Sequence, residues 1–353
     1  MQGTIGEVKR KTLYFTAPRQ VELREEILPV LGVDDILVET VCSAISAGTE
    51  MLIYQGRFPQ DVETDSIILS LRGGFKYPLA YGYASAGVVK EIGSQVSPEW
   101  LNKRVFAFQP HTSNFISKPE ALFLIPESLS CATACFLPNM ETAVNLVQDA
   151  APIFGERVLV LGQGVVGLLT ASLLKEFPLE ELVTADPYEL RREASLAIGV
   201  KTAFKPDDKA TDNKSSPKDR HVDKNAYTQN KFDVVFELSG NPSALDEALA
   251  LTCFSGRILI GSWYGEKKTE VSLGRAFHRS RIKLISSQVS TIAPELSGRW
   301  DKARRFDVAW KALERIKPEK WITHRFPIHK AEEAYRLLDE NPQETIQVLI
   351  TYS

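Results

Sequence analysis

One six-residue stretch, Gly162-Gln163-Gly164-Val165-Val166-Gly167, constrains this chain more than any other. It follows the apolar run Val158-Leu159-Val160-Leu161 and opens a helix-period stretch from Val165 to Glu176. In that setting each glycine has a task. The first permits a tight turn, the second lets the backbone approach a pyrophosphate, and the third lets helix and strand pack closely. Amides at the helix N-terminus then face the negative charge. Asp186 follows 19 residues after Gly167, at the end of the next apolar run, where a carboxylate accepts hydrogen bonds from ribose hydroxyls. The expected dinucleotide site is therefore Gly162, Gln163, Gly164, Val165, Val166, Gly167 and Asp186. The acid favours NAD. Arg191 and Arg192 follow closely and keep NADP open through contact with a 2′-phosphate, although as helix residues they read equally well as solvated surface charges.

Around this turn, apolar strands alternate with helix-period stretches: Leu182 to Ala185, Tyr188 to Ile198, Phe232 to Glu237, Pro242 to Leu251, Arg257 to Ile260 and Lys283 to Ser286. The alternation predicts a parallel, doubly wound Rossmann domain over 152–287. Gly261 and Ser287 follow late strands, whose carboxyl ends face the ligand crevice of such a sheet, so both are expected near the nicotinamide. The polar tract 205–231 is too poor in apolar residues to repay its ordering entropy and is expected to be a mobile insertion. Residues before 151 show short alternating runs broken by Gly and Pro, which predict a β-rich domain, 1–151, completed by 288–353.

With 353 residues, two domains are expected. Net charge is -3, from 42 basic and 45 acidic residues, with no long block of either sign. Such a balance offers no footprint for nucleic acid or an anionic membrane and favours a small-molecule substrate. No apolar leader precedes Thr12 and no run of 18 apolar residues occurs, so a cytoplasmic location is expected. The four cysteines, Cys42, Cys131, Cys135 and Cys253, read as reduced and mostly buried thiols.

The order of these parts resembles the medium-chain dehydrogenase/reductase superfamily, in which a GroES-like β domain is joined to a Rossmann domain. In its zinc alcohol dehydrogenases the metal is held by a Cys in a Cys-Gly-Ser/Thr-Asp stretch, a His in a Gly-His-Glu stretch, and a further Cys or Glu. Here those stretches read Ala47-Gly48-Thr49-Glu50, Gly82-Tyr83-Ala84 and Phe136-Leu137-Pro138-Asn139. Ala and Leu cannot ligate zinc, and no four-cysteine lobe lies between Gln95 and Pro126, so no zinc is expected. The stretches Ser43 to Glu50, Gly56 to Pro59, Pro78 to Tyr83, Ser286 to Gln288 and Gly298 to Asp301 are similar to the branch containing bacteriochlorophyllide hydroxyethyl dehydrogenases. The resemblance implies metal-free hydride transfer in an interdomain cleft and a homodimer. It does not fix the substrate.

Metal-free carbonyl chemistry still needs polarisation of the oxygen and a proton path. Thr49 matches the family position whose hydroxyl joins the proton relay, or it caps the helical turn that follows. Tyr83 donates to a developing oxyanion, or it fills the vacated metal space. Glu141 supplies acid/base function, or it is a helix-end charge. Tyr54, Arg57 and Asn145 are candidates for substrate contact, with a surface salt bridge the alternative for Arg57. His111 reads as structural or exposed and receives no catalytic role. The activity expected is alcohol or ketone oxidoreduction. Enoyl reduction, and an inactive nucleotide-binding regulator, stand as alternatives.

Overall fold

The structure is a computed structural model describing residues 9–59, 74, 76–206 and 231–352. Two compact units divide the chain, one made of Met1–Pro138 with Leu313–Ser353 and the other of Asn139–Ala312. Most of the polar tract expected at 205–231 lies outside the described residues.

The first unit opens with an antiparallel hairpin, β1 (Lys9–Ala17) and β2 (Gln20–Ile27), in which Leu13 pairs with Leu23. β3 (Ile36–Ile45) is buried along nearly its whole length and leads through residues 46–49 into α1 (Glu50–Tyr54). Two-residue β4 (Leu79–Ala80) pairs with β1, and β5 (Ser85–Ile92) lies antiparallel to β3. β6 (Arg104–Ala107), β7 (Asn114–Ser117), β8 (Phe123–Leu124) and the short α2 (Cys131–Ala134) follow.

The second unit begins on α3 (Leu137–Ala150). β9 (Arg157–Leu161), α4 (Val165–Leu174), β10 (Glu181–Ala185), α5 (Glu189–Ala197) and β11 (Thr202–Phe204) form one half. β12 (Phe232–Glu237), α6 (Ala244–Leu251), β13 (Thr252–Ile260) and β14 (Lys283–Ser286) form the other, and α7 (Lys302–Ile316) leads out. All six strands are parallel, in the order β11-β10-β9-β12-β13-β14. The order reverses between β9 and β12, and a doubly wound sheet binds ligands at the carboxyl ends flanking that reversal. Leu159, Leu161, Val183, Val235 and Ile258 form its buried centre, the continuous apolar runs that a sheet covered on both faces requires.

The chain then returns to the first unit with β15 (Ile322–Pro327), α8 (Ala331–Glu340) and β16 (Gln347–Thr351). β16 pairs parallel with β15 and antiparallel with β3, giving the order β15-β16-β3-β5-β6-β8, with β7 also on β3. α8 turns Ala331, Ala334, Tyr335 and Leu338 inward, the spacing of one helical stripe.

The compact units divide at 138/139 and 312/313, where 151 and 288 were expected. The end of α3 is tied to the parallel sheet, because Arg257 of β13 donates to the carbonyls of Ala150 and Ala151 while its guanidinium pairs with Glu156. At the other boundary, Arg305 of α7 is fully buried against Glu141 and Asn145 of α3. Both segments therefore belong to the second unit.

Candidate functional site

The glycine turn is built as its spacing demands. Gly162 sits at φ +91, and a Cβ there would stand 2.5 Å from the carbonyl oxygen of Leu238. At Gly167 a Cβ would stand 1.9 Å from the carbonyl oxygen of Gly162, so helix and turn touch backbone to backbone. Gly164, the residue capping α4, is different: among the described residues beyond its chain neighbours, a Cβ there would meet within 4 Å just Nη1 of Arg191, at 4.0 Å. Space is thus left open over the helix N-terminus, where Val165 and Val166 begin the first turn. Gln163 is buried and locks the turn from beneath, its Nε2 donating to the carbonyl of Gly162 at 2.9 Å.

Asp186, which follows β10, is tied into this turn. Its Oδ2 accepts from the amide of Gln163 at 2.7 Å and its Oδ1 from that of Tyr188 at 2.9 Å. Burial raises its pKa. Arg191 stands 4.0 Å from Asp186 Oδ2 and lies over the ring of Tyr188. Arg192 is turned to a local task, donating from Nη1 to the carbonyls of Asp186 and Pro187. Of the two arginines offered for a 2′-phosphate, only Arg191 borders the open space at Gly164.

Gly261 and Ser287 do follow β13 and β14 at the same edge of the sheet. The amide of Ser287 donates to the carbonyl of Ile260, and its hydroxyl donates to Asp149 at 2.6 Å and accepts from Asn145 at 2.9 Å. Glu237 was not anticipated. Buried at the end of β12, it accepts from the amide and hydroxyl of Ser239 and from the Tyr264 hydroxyl at 2.5 Å. It thereby shapes the loop on which Gly162 rests. A carboxylate ending a strand gave the sequence no spacing by which to mark it.

Two of the expected site residues lie on α3. Glu141 is held by Arg305, at 2.9 Å, and by Lys302. Those cations neutralise a buried carboxylate that would otherwise be costly, which makes it a structural anchor and not a free acid or base. Asn145 is buried and bonds Arg305, Asp149 and Ser287 through its amide, so it stands within the same α3 network.

In the first unit, the loop between β3 and α1 meets the loop before β5. The hydroxyl of Tyr83 donates to Ser46 Oγ at 2.5 Å and lies 3.4 Å from Thr49 Oγ1. Thr49 occupies the N-cap position of α1, yet its side chain makes no capping bond. All three residues are half-buried, so their hydroxyls form a cluster within reach of solvent. Sequence reading paired Thr49 with Tyr83 and missed Ser46, which has no motif of its own. Tyr54 is corrected to a core residue, 4% exposed, its ring stacked on Tyr335 at 5.4 Å. Arg57 is exposed.

Behind the hydroxyls lies a second group. Glu50 is fully buried, accepting from the amide of Ser46 at 2.8 Å, from the Tyr335 hydroxyl, and bonding His111 Nε2 at 2.9 Å. His111, itself fully buried, places Nδ1 2.6 Å from Ser43 Oγ, which in turn meets the Tyr352 hydroxyl at 2.7 Å. Cys42 and Cys135 are buried with sulfurs 3.7 Å apart, and burial pushes the Cys135 thiol up.

Residues 165–306 match the family described as zinc-binding dehydrogenase. Over its length the chain is similar to the starvation-sensing protein RspB of Escherichia coli K12, at 22% identity over 97% of this chain and 99% of that one. D-guloside 3-dehydrogenase of the same organism is likewise 22% identical, over 97% and 100%. Among solved structures, an Escherichia coli CFT073 short chain alcohol dehydrogenase (rspB), complexed with NADH, superposes with a TM-score of 0.74 at 20% identity, over 98% of this chain and 100% of that one. The 2R,3R-butanediol dehydrogenase of Bacillus subtilis gives 0.74 at 16% identity with the same coverage. The fold is therefore that of the medium-chain dehydrogenases, a GroES-like domain with a Rossmann domain.

A zinc ion does not fit the residues that stand at the family's ligand positions. Ala47 and the fully buried Leu137 have no donor atom, and the Tyr83 hydroxyl is engaged with Ser46. Among the described residues no three His, Cys, Asp or Glu side chains come together as a metal site. A dinucleotide does fit the turn at Gly162 to Gly167, whose middle glycine leaves the helix N-terminus open.

Proposed function

We propose that this chain is a nicotinamide-dependent oxidoreductase that interconverts an alcohol and a ketone without a catalytic zinc. The observation that carries the reading is the turn at Gly162 to Gly167, in which two glycines are required by packing and the third leaves space for a ligand's phosphates. The amides opening α4 would hold the diphosphate, and Asp186 with Arg191 would border the adenosine ribose. NAD is favoured by the acid at Asp186. A bound nicotinamide supplies the carbon that gives or takes hydride. In the reducing direction Tyr83 would turn its hydroxyl hydrogen from Ser46 to the substrate oxygen as negative charge develops there, and Ser46 and Thr49, half-buried beside it, would return a proton from solvent to the phenolate.

Relatives named as sugar and polyol dehydrogenases, including sorbitol dehydrogenase of Bombyx mori at 22% identity, favour this reading over enoyl reduction. Ala47, Tyr83 and Leu137 support a zinc-free branch, as do the stretches similar to bacteriochlorophyllide hydroxyethyl dehydrogenases. The substrate class we assign is a small alcohol or ketone, in the cytoplasm. The same resemblance supports a homodimer, which we propose pairs outer strands of the parallel sheet.

Titration of the purified, metal-analysed protein with NADH and NADPH, followed by nicotinamide fluorescence, tests the proposal. Saturable binding, tighter for NADH, with zinc well below one per chain is the expected result. Stoichiometric zinc, or binding of neither nucleotide, overturns it.

A further inference from the structure

Glu50 and His111 both sit with no solvent exposure, Glu50 bonded to Tyr335 of the first unit's apolar cluster. Burying such a pair is expensive, and apolar residues of similar volume would pack as well or better. The pair therefore calls for an explanation other than stability. Its contacts supply one. Glu50 Oε1 accepts from the amide of Ser46, and the amide of Glu50 donates to the carbonyl of Ser46 at 2.9 Å, so this carboxylate and its own backbone fix both polar groups of one residue. Ser46 is the residue that receives the Tyr83 hydroxyl.

His111 acts on the other loop. Gly82, immediately before Tyr83, adopts φ +129, and a Cβ there would lie 2.9 Å from both Cδ2 and Nε2 of the imidazole. The ring thus lies flush against the backbone that carries Tyr83, and the His111 amide reaches the carbonyl of Tyr81 at 3.4 Å. One imidazole touches Gly82 with its edge and Glu50 with Nε2, while Nδ1 and Ser43 Oγ anchor it to β3.

We propose that Glu50 and His111 are positioning residues, a buried brace that fixes the two loops whose hydroxyls meet at Tyr83, Ser46 and Thr49. The proposal rests on reading those hydroxyls as the proton-handling group. Neither residue touches the reacting atoms. Each polar atom of the pair is committed to Ser46, Tyr335, Ser43 or its partner, and their effect is exerted through Ser46 and Gly82.

The test uses the full chain labelled with 3-fluorotyrosine, with Tyr83→Phe assigning the Tyr83 fluorine resonance. Glu50→Gln places an amide where three donors converge, and His111→Gln removes the ring that lies on Gly82. Both are expected to displace or broaden the Tyr83 resonance while leaving NADH affinity unchanged. Ser43→Ala, which loosens only the outer anchor of the ring, is expected to shift the same resonance by less and covers the case in which the first two variants fail to fold. A Tyr83 resonance unmoved in folded variants, even with a lower melting temperature, overturns the brace and leaves these residues as core packing. Failure of the unsubstituted chain to bind NADH sinks the oxidoreductase reading instead, and the two failures are thus told apart.

Discussion

Gly164 and Gly167 lie three residues apart and should respond oppositely to the same methyl group. At Gly167 the added carbon meets the carbonyl of Gly162 at 1.9 Å, and overpacking of that kind costs roughly 1–3 kcal/mol or more. Gly167→Ala is expected to lower the melting temperature and abolish NADH binding together. Gly164→Ala meets only the end of Arg191, so stability should stay within about 0.5 kcal/mol of the parent, as for an unstrained surface change. NADH affinity should fall nonetheless, because the methyl enters the space left for the diphosphate. Equal losses of stability in the two variants would contradict the assignment. In turnover, removing a positioned general acid usually costs about 10²–10⁴-fold. Tyr83→Phe is expected to lose that much in kcat with NADH binding intact, measured with whichever ketone the chain reduces. What the sequence disclosed at this scale followed its spacing. The glycines and Asp186 stand at fixed intervals imposed by a ligand of fixed size, whereas Glu50 meets partners 61 and 285 residues away, a separation no local pattern encodes.

Among elements, α3 and the β1–β2 hairpin carry the sharpest expectations. α3 depends on Arg305 of α7, whose guanidinium serves Glu141, Asn145 and two backbone carbonyls in full burial. Arg305→Met removes one of the two cations and leaves Glu141 to Lys302 alone, so the loss should fall at or below the about 3–5 kcal/mol of a buried pair broken from one side. Chemical denaturation should find that loss, and pairing the change with Glu141→Leu should recover part of it. In the hairpin, burial pulls the Glu26 carboxyl upward, but hydrogen bonds from Tyr14, Thr12 and Arg10 overcome this and hold its pKa below the ordinary value. A depressed carboxylate stabilises the fold above its unfolded pKa and loses that contribution as pH falls through the folded value. Stability should accordingly decline below about pH 4, the unfolded carboxylate range, and decline less in Glu26→Gln. The strands of the parallel sheet were legible as continuous apolar runs. β11 escaped notice because three residues, Thr202 to Phe204, show no period. α3 escaped because Glu141 and Asn145 face inward, which breaks the apolar stripe that marks a helix.

For the molecule as a whole, NADH should act on stability through mass action. A ligand at about 100 times its Kd contributes about 2.7 kcal/mol to the form that binds it, so the melting temperature should rise with NADH concentration and do so less in Gly164→Ala. The two-unit plan was visible in the change from alternating strands to strand-and-helix texture near Arg157. Its boundaries were not, because side chains such as Arg257 and Arg305, and not composition, decide which sheet or helix a connecting segment joins. β16 has a last consequence, in time. It occupies a central place in the first unit's sheet, between β15 and β3, and consists of residues 347–351. A ribosome making this chain N-terminus first releases β3 some three hundred residues before its neighbour exists. By then Asn139–Ala312 has been made, while Cys42 to Ile45 of β3, the half of its edge that β7 does not pair, wait unpaired and exposed to self-association. The strand that closes this part of the first unit's sheet is made only after the whole of the second unit.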